Sequence, residues 1–360
     1  MMTCWAHAGS MSSIATVAAL PTMSVIPQED ATLSFQLEND VFAGDDDNYT
    51  NGARLSFLSG SCGENEGRGG FSNSLARSLG ALTGGTGASP QWSKFFGMER
   101  TPALRQQWAV TLTQLMFTPE GNTSSRPIIG QHPYAGYFAL GIGTLVKNED
   151  RANSFELQLG ATGKASLAEK FQNIIHKMWG MPTWQGWDNQ IPSEFAFCFY
   201  FKRYYRLDCL ESKSGSGFET DGFAYWHADL GSVYVRAGTG MSVRYGYNLS
   251  DTSPDFAING ANYVSSPFAK KRDYSSNWSF YGFSGAGIRA VAHDLFLDGP
   301  VFHGFPNYVS KYPFVVDVST GAVLRYKRAE LLVGYFFRSQ EYHHQEALHV
   351  MGMIELKVSF

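Results

Sequence analysis

The sequence predicts an all-β protein: a transmembrane antiparallel β-barrel of about twelve strands, with a short helical segment in an outward-facing loop. Three observations predict it. Apolar residues recur at every second position rather than with a helical period, and many of these alternating segments run about ten residues or more, the length that crosses a membrane at a tilt. The chain also stops on Phe360, with Ile354, Leu356 and Val358 alternating before it against Glu355, Lys357 and Ser359. A soluble sandwich alternates too, but its strands average about half that length.

The elements follow in chain order. Residues 31–39 place Leu33, Phe35 and Leu37 on one face and Ser34, Gln36 and Glu38 on the other. Residues 50–60 repeat this, with Ala53, Leu55 and Phe57 against Arg54 and Ser56. Further strands are expected near 106–117, 135–147, 152–162 and 193–206, the last carrying the aromatic row Phe195, Phe197, Phe199 and Phe201. The set closes with 221–231, 233–246, 276–292, 312–325, 328–339 and 346–360. An even number suits a single-chain bacterial barrel. With both ends of the barrel domain in the periplasm, the connections 40–49, 118–134 and 163–192 face outward. The Gly- and Ser-rich stretch 61–105 then becomes a large periplasmic insertion, against the usual rule of short periplasmic turns.

Composition bounds the function. The 360 residues are 44% hydrophobic, 15% aromatic and 17% charged, which is enough apolar material for an ordered structure. A net charge of -4 offers no basic stripe for nucleic acid. No window is long and apolar enough for a membrane helix, so a membrane protein of this composition has to be a closed barrel. Residues 1–29 read as a signal peptide, apolar over 11–26 and turning polar at Gln28-Glu29-Asp30, although no Lys or Arg precedes the apolar stretch. Residues 30–360 form a single barrel domain, expected to be monomeric among outer-membrane lipids. Of the four cysteines, Cys198 and Cys209 are candidates for pairing across a strand end, with free thiols the alternative.

Three motifs fall in the outward connections. Glu38-Asn39-Asp40-Val41-Phe42, Asp45-Asp46-Asp47 and Tyr49-Thr50-Asn51-Gly52 gather hard oxygen ligands suited to Ca²⁺, though the same residues make an ordinary Asx-rich hairpin. Phe117-Thr118-Pro119 and Pro133-Tyr134-Ala135-Gly136-Tyr137 read as a loop re-entering a strand, with aromatics placed for the interfacial girdle. Residues 166–176 have helical composition, and Gln172 and His176, four apart, share one helix face. A His beside an amide and near a metal-binding carboxylate suits a general base for water; alone, such a His is more often structural.

Together these motifs resemble the outer-membrane lipid A 3′-O-deacylase family. The resemblance runs from about Leu33 to Phe360 and also includes Gly186-Trp187-Asp188-Asn189-Gln190 and Phe296-Leu297-Asp298-Gly299. It implies a twelve-stranded barrel that hydrolyses an ester-linked acyl chain of lipid A in a Ca²⁺-dependent reaction. By the same resemblance Asn39 and Asp40 belong to the catalytic centre, with Asp40 a metal ligand, and Thr50 is a polar site residue. Gln172 orients the site and His176 is the base that takes a proton from water. That base has to be neutral, so activity is expected to fall on acidification. One departure stands out: where the family carries a Lys, this chain has Ser124, with Arg126 nearby. A guanidinium does not replace an ammonium one for one, which puts the substrate's details in question. The alternatives are an esterase acting on another lipid and a non-catalytic structural or binding barrel.

Overall fold

The computed structural model describes residues 30–40, 48–63, 70–99, 101, 103–119, 124–180, 183–249, 258, 260–263, 268, 277–306, 308–345 and 348–360. The expected signal peptide, the acidic run Asp45-Asp46-Asp47 and the residues Val41 and Phe42 lie outside these.

Twelve long strands make the wall. The first six are β1 (Thr32–Asn39), β2 (Asn48–Leu58), β3 (Arg105–Thr118), β4 (Ala135–Lys147), β5 (Arg151–Thr162) and β6 (Phe195–Arg206). The second six are β7 (Phe218–Gly231), β8 (Tyr234–Tyr247), β9 (Trp278–Asp294), β10 (Phe314–Tyr326), β11 (Ala329–Arg338) and β12 (His349–Ser359). Each is antiparallel to its neighbours, and β1 pairs with β12, Leu33 opposite Val358 and Leu37 opposite Ile354. The pairing of β7 with β8 completes the circuit, so the sheet has no open edge for lipid to strand. Between strands lie α1 (Phe71–Gly80), α2 (Pro90–Phe95), α3 (Ala168–Trp179) and the single turn α4 (Leu295–Asp298). No described helix is long and apolar enough to cross a membrane.

The faces are inverted relative to a soluble sheet. On β1, Ser34, Gln36 and Glu38 are buried, whereas Leu33 and Phe35 are each 44% exposed. Polar residues therefore point into the lumen and apolar ones point out, as a lipid solvent demands. Charge inside is neutralised pairwise: Arg54 donates to Glu156 at 2.6 Å, and Arg236 meets Asp229 at 2.5 Å.

The lumen is packed from both ends. From the outer end, Phe296 of α4 stacks on Phe117 at 4.3 Å and borders Tyr137 and Tyr234. From the opposite end, the connection between β8 and β9 re-enters the barrel. There the Ala261 amide donates to Glu156 at 2.9 Å, and the Tyr263 hydroxyl donates to the Phe155 carbonyl at 2.7 Å. The expected girdle placement of Phe117 and Tyr137 is therefore corrected: both rings face inward, and Tyr137 has no exposed surface. Inward is where alternation puts them, since Leu112, five residues before Phe117, and Phe138, next to Tyr137, point to the other face and are exposed. Cys62, Cys198 and Cys209 are free thiols, so the pairing alternative falls.

Candidate active site

The site is built on the outside of the wall, at the end where α3 lies. A single cross-strand row runs along the upper rim: Asn39 pairs with Asn51, Asn51 with Met116, and Met116 with Gly136. All four lie in phase with the outward face. The register slips between Asn48 and Asn51. This bulge lets Tyr49 turn inward, its hydroxyl donating to Glu38 at 2.9 Å, while the Thr50 hydroxyl meets that of Thr118 at 2.6 Å. Asp40, directly after β1, is completely buried.

α3 roofs this row. Its residues Ala168, Gln172 and His176, spaced four apart, form a buried stripe, while Leu167, Phe171 and Ile174 are exposed on the other side. Ala168 packs in one cluster with Met116, Tyr134 and Trp187. Gly136 is required beneath it, because a Cβ there would come within 2.2 Å of the Ser166 hydroxyl and 2.5 Å of the Ala168 methyl. Gly180, left-handed at φ 69°, ends the helix and sends the chain back along it.

The returning segment braces the stripe with two tryptophans. The indole N–H of Trp187 donates to Gln172 Oε1 at 2.6 Å. An indole nitrogen has no acceptor capacity, so the amide must present its oxygen to Trp187 and its Nε2 to the opposite side. That Nε2 is buried and has no hydrogen-bond partner among the described residues. Trp184 meets the His176 ring edge-on at 5.4 Å. Beyond it, the Asn189 amide donates to the Ser125 carbonyl at 2.8 Å, which ties the loop of Ser124 and Arg126 to the roof. Ser124 itself is half-buried and bonded locally, accepting from the Arg126 amide at 3.1 Å.

Thus Asn39 and Thr50 on the wall, and Gln172 and His176 on the roof, share one end and one face of the barrel. Among the described residues no group of three or more His, Cys, Asp or Glu is arranged to hold a metal. The donors that do lie here, the Asp40 carboxylate and the Asn39 amide, are hard oxygens appropriate to Ca²⁺. Thr118, Trp184 and Trp187 were not singled out as site residues from sequence; only a donor-only indole within reach of Gln172 could have pointed to Trp187.

Inside the lumen, below the rim, His132 stacks on Phe117 with ring centroids 4.9 Å apart. Burial lowers its pKa to about 4, against the opposing pull of the Pro133 carbonyl, so it is a neutral packing group. Glu341 nearby is held below the usual carboxylate range. Burial works against its ionisation, but Arg338 and Arg289 outweigh it.

The comparisons with known proteins agree with this architecture. The family model described as outer membrane protein LpxR matches residues 4–360. Among solved structures, LpxR from Salmonella typhimurium superposes with a TM-score of 0.66 at 15% identity, covering 91% of this chain and 100% of that one. The β domain of the Bordetella autotransporter BrkA follows at a TM-score of 0.40 and 9% identity, covering 92% and 99% of the two chains. No curated protein matches the chain in sequence. With a closed twelve-stranded wall, apolar outside, and a family match over nearly its whole length, the chain belongs to the LpxR family of outer-membrane proteins.

Proposed function

We propose that this protein is a hydrolase that removes an ester-linked acyl chain from lipid A, the 3′-O-deacylation of lipopolysaccharide, using water activated by His176. One observation carries the reading: a buried stripe with Gln172 and His176 lies against the lipid-facing side of the wall, where hydrocarbon offers polar groups no hydrogen bonds. A site on that side faces the outer leaflet, so a lipid would reach it without leaving the membrane.

The chain's own groups supply most of the chemistry. His176, in its neutral form, takes a proton from water as the oxygen attacks the ester carbonyl. Gln172 Nε2, its orientation fixed by Trp187, donates a hydrogen bond to the oxyanion that develops on that carbonyl. Thr50 and Thr118 fix the rim beside Asn39. Asp40 and the Asn39 carbonyl would hold Ca²⁺, which, when bound, polarises the ester. The collapse of the tetrahedral intermediate returns the proton from His176 to the leaving alkoxide of the sugar. Lys170 and Lys177 on α3 and Arg126 in the loop tied to the roof are exposed cations that would meet the headgroup phosphates in place of the family's Lys at Ser124.

Mass spectrometry of lipid A from cells producing the protein, beside cells producing His176→Ala, tests the reading. Loss of one ester-linked acyl group in the first strain only, abolished by Ca²⁺ chelation, is the expected result. Unchanged lipid A around a folded barrel would instead favour another lipid ester or a non-catalytic barrel.

A further inference from the structure

The insertion between β2 and β3 packs on the barrel itself. It wraps the outside of the wall at the end opposite α3. The Trp108 indole, outward on β3, donates to Ser72 of α1 at 3.0 Å. Gln106, also outward, exchanges hydrogen bonds with Thr86, at 3.1 Å from the backbone amide and 2.5 Å to the hydroxyl. On β5, Asn153 donates to the carbonyls of Thr83 at 3.0 Å and Phe96 at 3.1 Å. On β6, Arg203 donates to the Phe96 carbonyl and to Asn153, while Phe96 packs on Phe201 at 5.7 Å. Residues 70–98 thus form a collar bonded to the outer surface of β3, β5 and β6.

The collar leaves a gap in the lipid-facing band. On β10, on another side of the barrel, every outward residue from Phe314 to Tyr326 is exposed. That run rises about 30 Å along the barrel axis at the usual strand rise and tilt, enough for the roughly 25 Å apolar band of such barrels. On β4 only Phe138, Leu140 and Ile142 are exposed on the outward face, while Gly136 lies under the roof and Thr144 and Val146 are buried at the collar end. That run rises only about 10 Å. The remaining ~15 Å of hydrocarbon has no bare strand to face. Above it stands the roof, with Leu167, Phe171 and Ile174 exposed. Below it stands the collar, with Phe71 81%, Phe95 71%, Leu82 49% and Trp92 44% exposed. Trp92 and Phe95 are stacked at 5.5 Å, a flat aromatic surface of the kind that lies at a membrane interface. Residues 70–98 contain Arg77 and Lys94 and no acidic residue at all. That composition suits anionic lipid headgroups rather than a solvated periplasmic domain.

We propose that the collar of α1, α2 and the turn between them lies in the inner leaflet of the outer membrane, where Phe71, Leu82, Trp92 and Phe95 contact phospholipid acyl chains and complete the lipid-facing wall beneath the roofed cleft. The partner is the lipid surface itself, continuous with the surface that the bare strands already meet. Trp108, Gln106, Asn153 and Arg203 on the wall are bonded to the collar, so it is fixed to the barrel rather than loosely apposed.

The test is nitroxide accessibility in the full-length barrel reconstituted into phospholipid bilayers. Cys209, the exposed thiol, is replaced by Ser, and labels are placed one at a time through Phe95→Cys and Phe71→Cys. Leu140→Cys, on the bare wall, gives the lipid reference, and Lys213→Cys, exposed in the connection between β6 and β7, gives the aqueous one. Membrane insertion predicts that collisions with oxygen exceed those with a water-soluble nickel chelate at 71 and 95, as at 140. A ratio matching that at 213 for both labels overturns the proposal, with the heat-modifiable band confirming that each variant is folded.

Discussion

Replacing Trp187 with Phe isolates one hydrogen bond and asks what it does for Gln172. The bond is short, 2.6 Å, and both partners are buried, so its loss leaves Gln172 Oε1 unsatisfied at a cost of about 1–3 kcal/mol. The same free energy is what now holds the amide with Nε2 turned away from the indole. Without it the two amide orientations approach equal weight, and the acceptor oxygen competes for the place of the donor. If Nε2 stabilises the oxyanion, Gln172→Ala should cost roughly 10²- to 10³-fold in kcat, as deletion of one oxyanion donor does. Trp187→Phe, which only loosens the amide, should cost between about 5- and 100-fold, with KM little changed. Initial deacylation rates on lipid A in mixed bilayers measure both. The decisive variant is the double one: if Trp187 acts only through Gln172, adding Trp187→Phe to Gln172→Ala slows the enzyme no further. Losses that multiply, or a Trp187→Phe enzyme with full kcat, would refute the assignment of Gln172 Nε2 as the donor.

Two further outcomes follow from the lumen. His132 has its pKa lowered to about 4 by burial, whereas an unfolded His titrates near 6.5, so the unfolded chain takes up the proton first. Stability should therefore fall as the pH drops from about 6.5 to about 4, by ~3 kcal/mol from this group. His132→Phe, which keeps the stack on Phe117, should flatten that part of a thermal-unfolding series against pH; an unchanged slope would place the acid sensitivity elsewhere. Glu156 accepts from Arg54, Thr111, Gln158 and the Ala261 amide. Glu156→Ala strands a buried guanidinium and should cost about 3–5 kcal/mol, with the re-entrant connection at 258–263 becoming open to protease. A variant as stable and as resistant as the parent would mean that water or another group already balances Arg54.

The wall was legible in the sequence because alternation is a local property. Leu33, Phe35 and Leu37 declare a face without reference to anything distant, and the twelve predicted strands fall within a few residues of those observed. The roof was legible for the same reason, since Gln172 and His176 share a face through helical spacing alone. What the sequence hid depends on partners far along the chain. The bulge at Thr50 is recognised through Thr118, 68 positions on, and the re-entrant connection through Glu156, 105 positions before Ala261. The collar sits between these cases. Ser89-Pro90, an N-cap followed by proline at the first helical position, announces α2, whose Trp92 amide donates to Ser89 at 3.2 Å. That the helix then lies against the wall is set by Asn153 and Arg203, more than fifty residues away.

The two covered patches on the outer wall differ in a way that separates structure from function. A lipid-facing strand tolerates polar side chains only when something satisfies them, because hydrocarbon offers no hydrogen bonds. The apolar-out rule is broken at both ends of β3. At the collar end, Gln106 is bonded through both its amide oxygen and its amide nitrogen, and on the neighbouring strands Asn153 and Arg203 are bonded as well. Each of these wall side chains has an intramolecular partner, which is what a joint between a helix pair and a wall requires. At the roof end, Gln114 is 7% exposed with neither amide atom bonded among the described residues, and Gln172 Nε2 is likewise buried without a partner. Each such group costs about 1–3 kcal/mol if nothing ever meets it. Two of them on one face, beside a buried His, fit the proposed reading, in which the partner is a polar lipid linkage that comes and goes. Among the wall side chains, then, the satisfied patch fastens the fold, whereas the unsatisfied one fits the substrate contact proposed above.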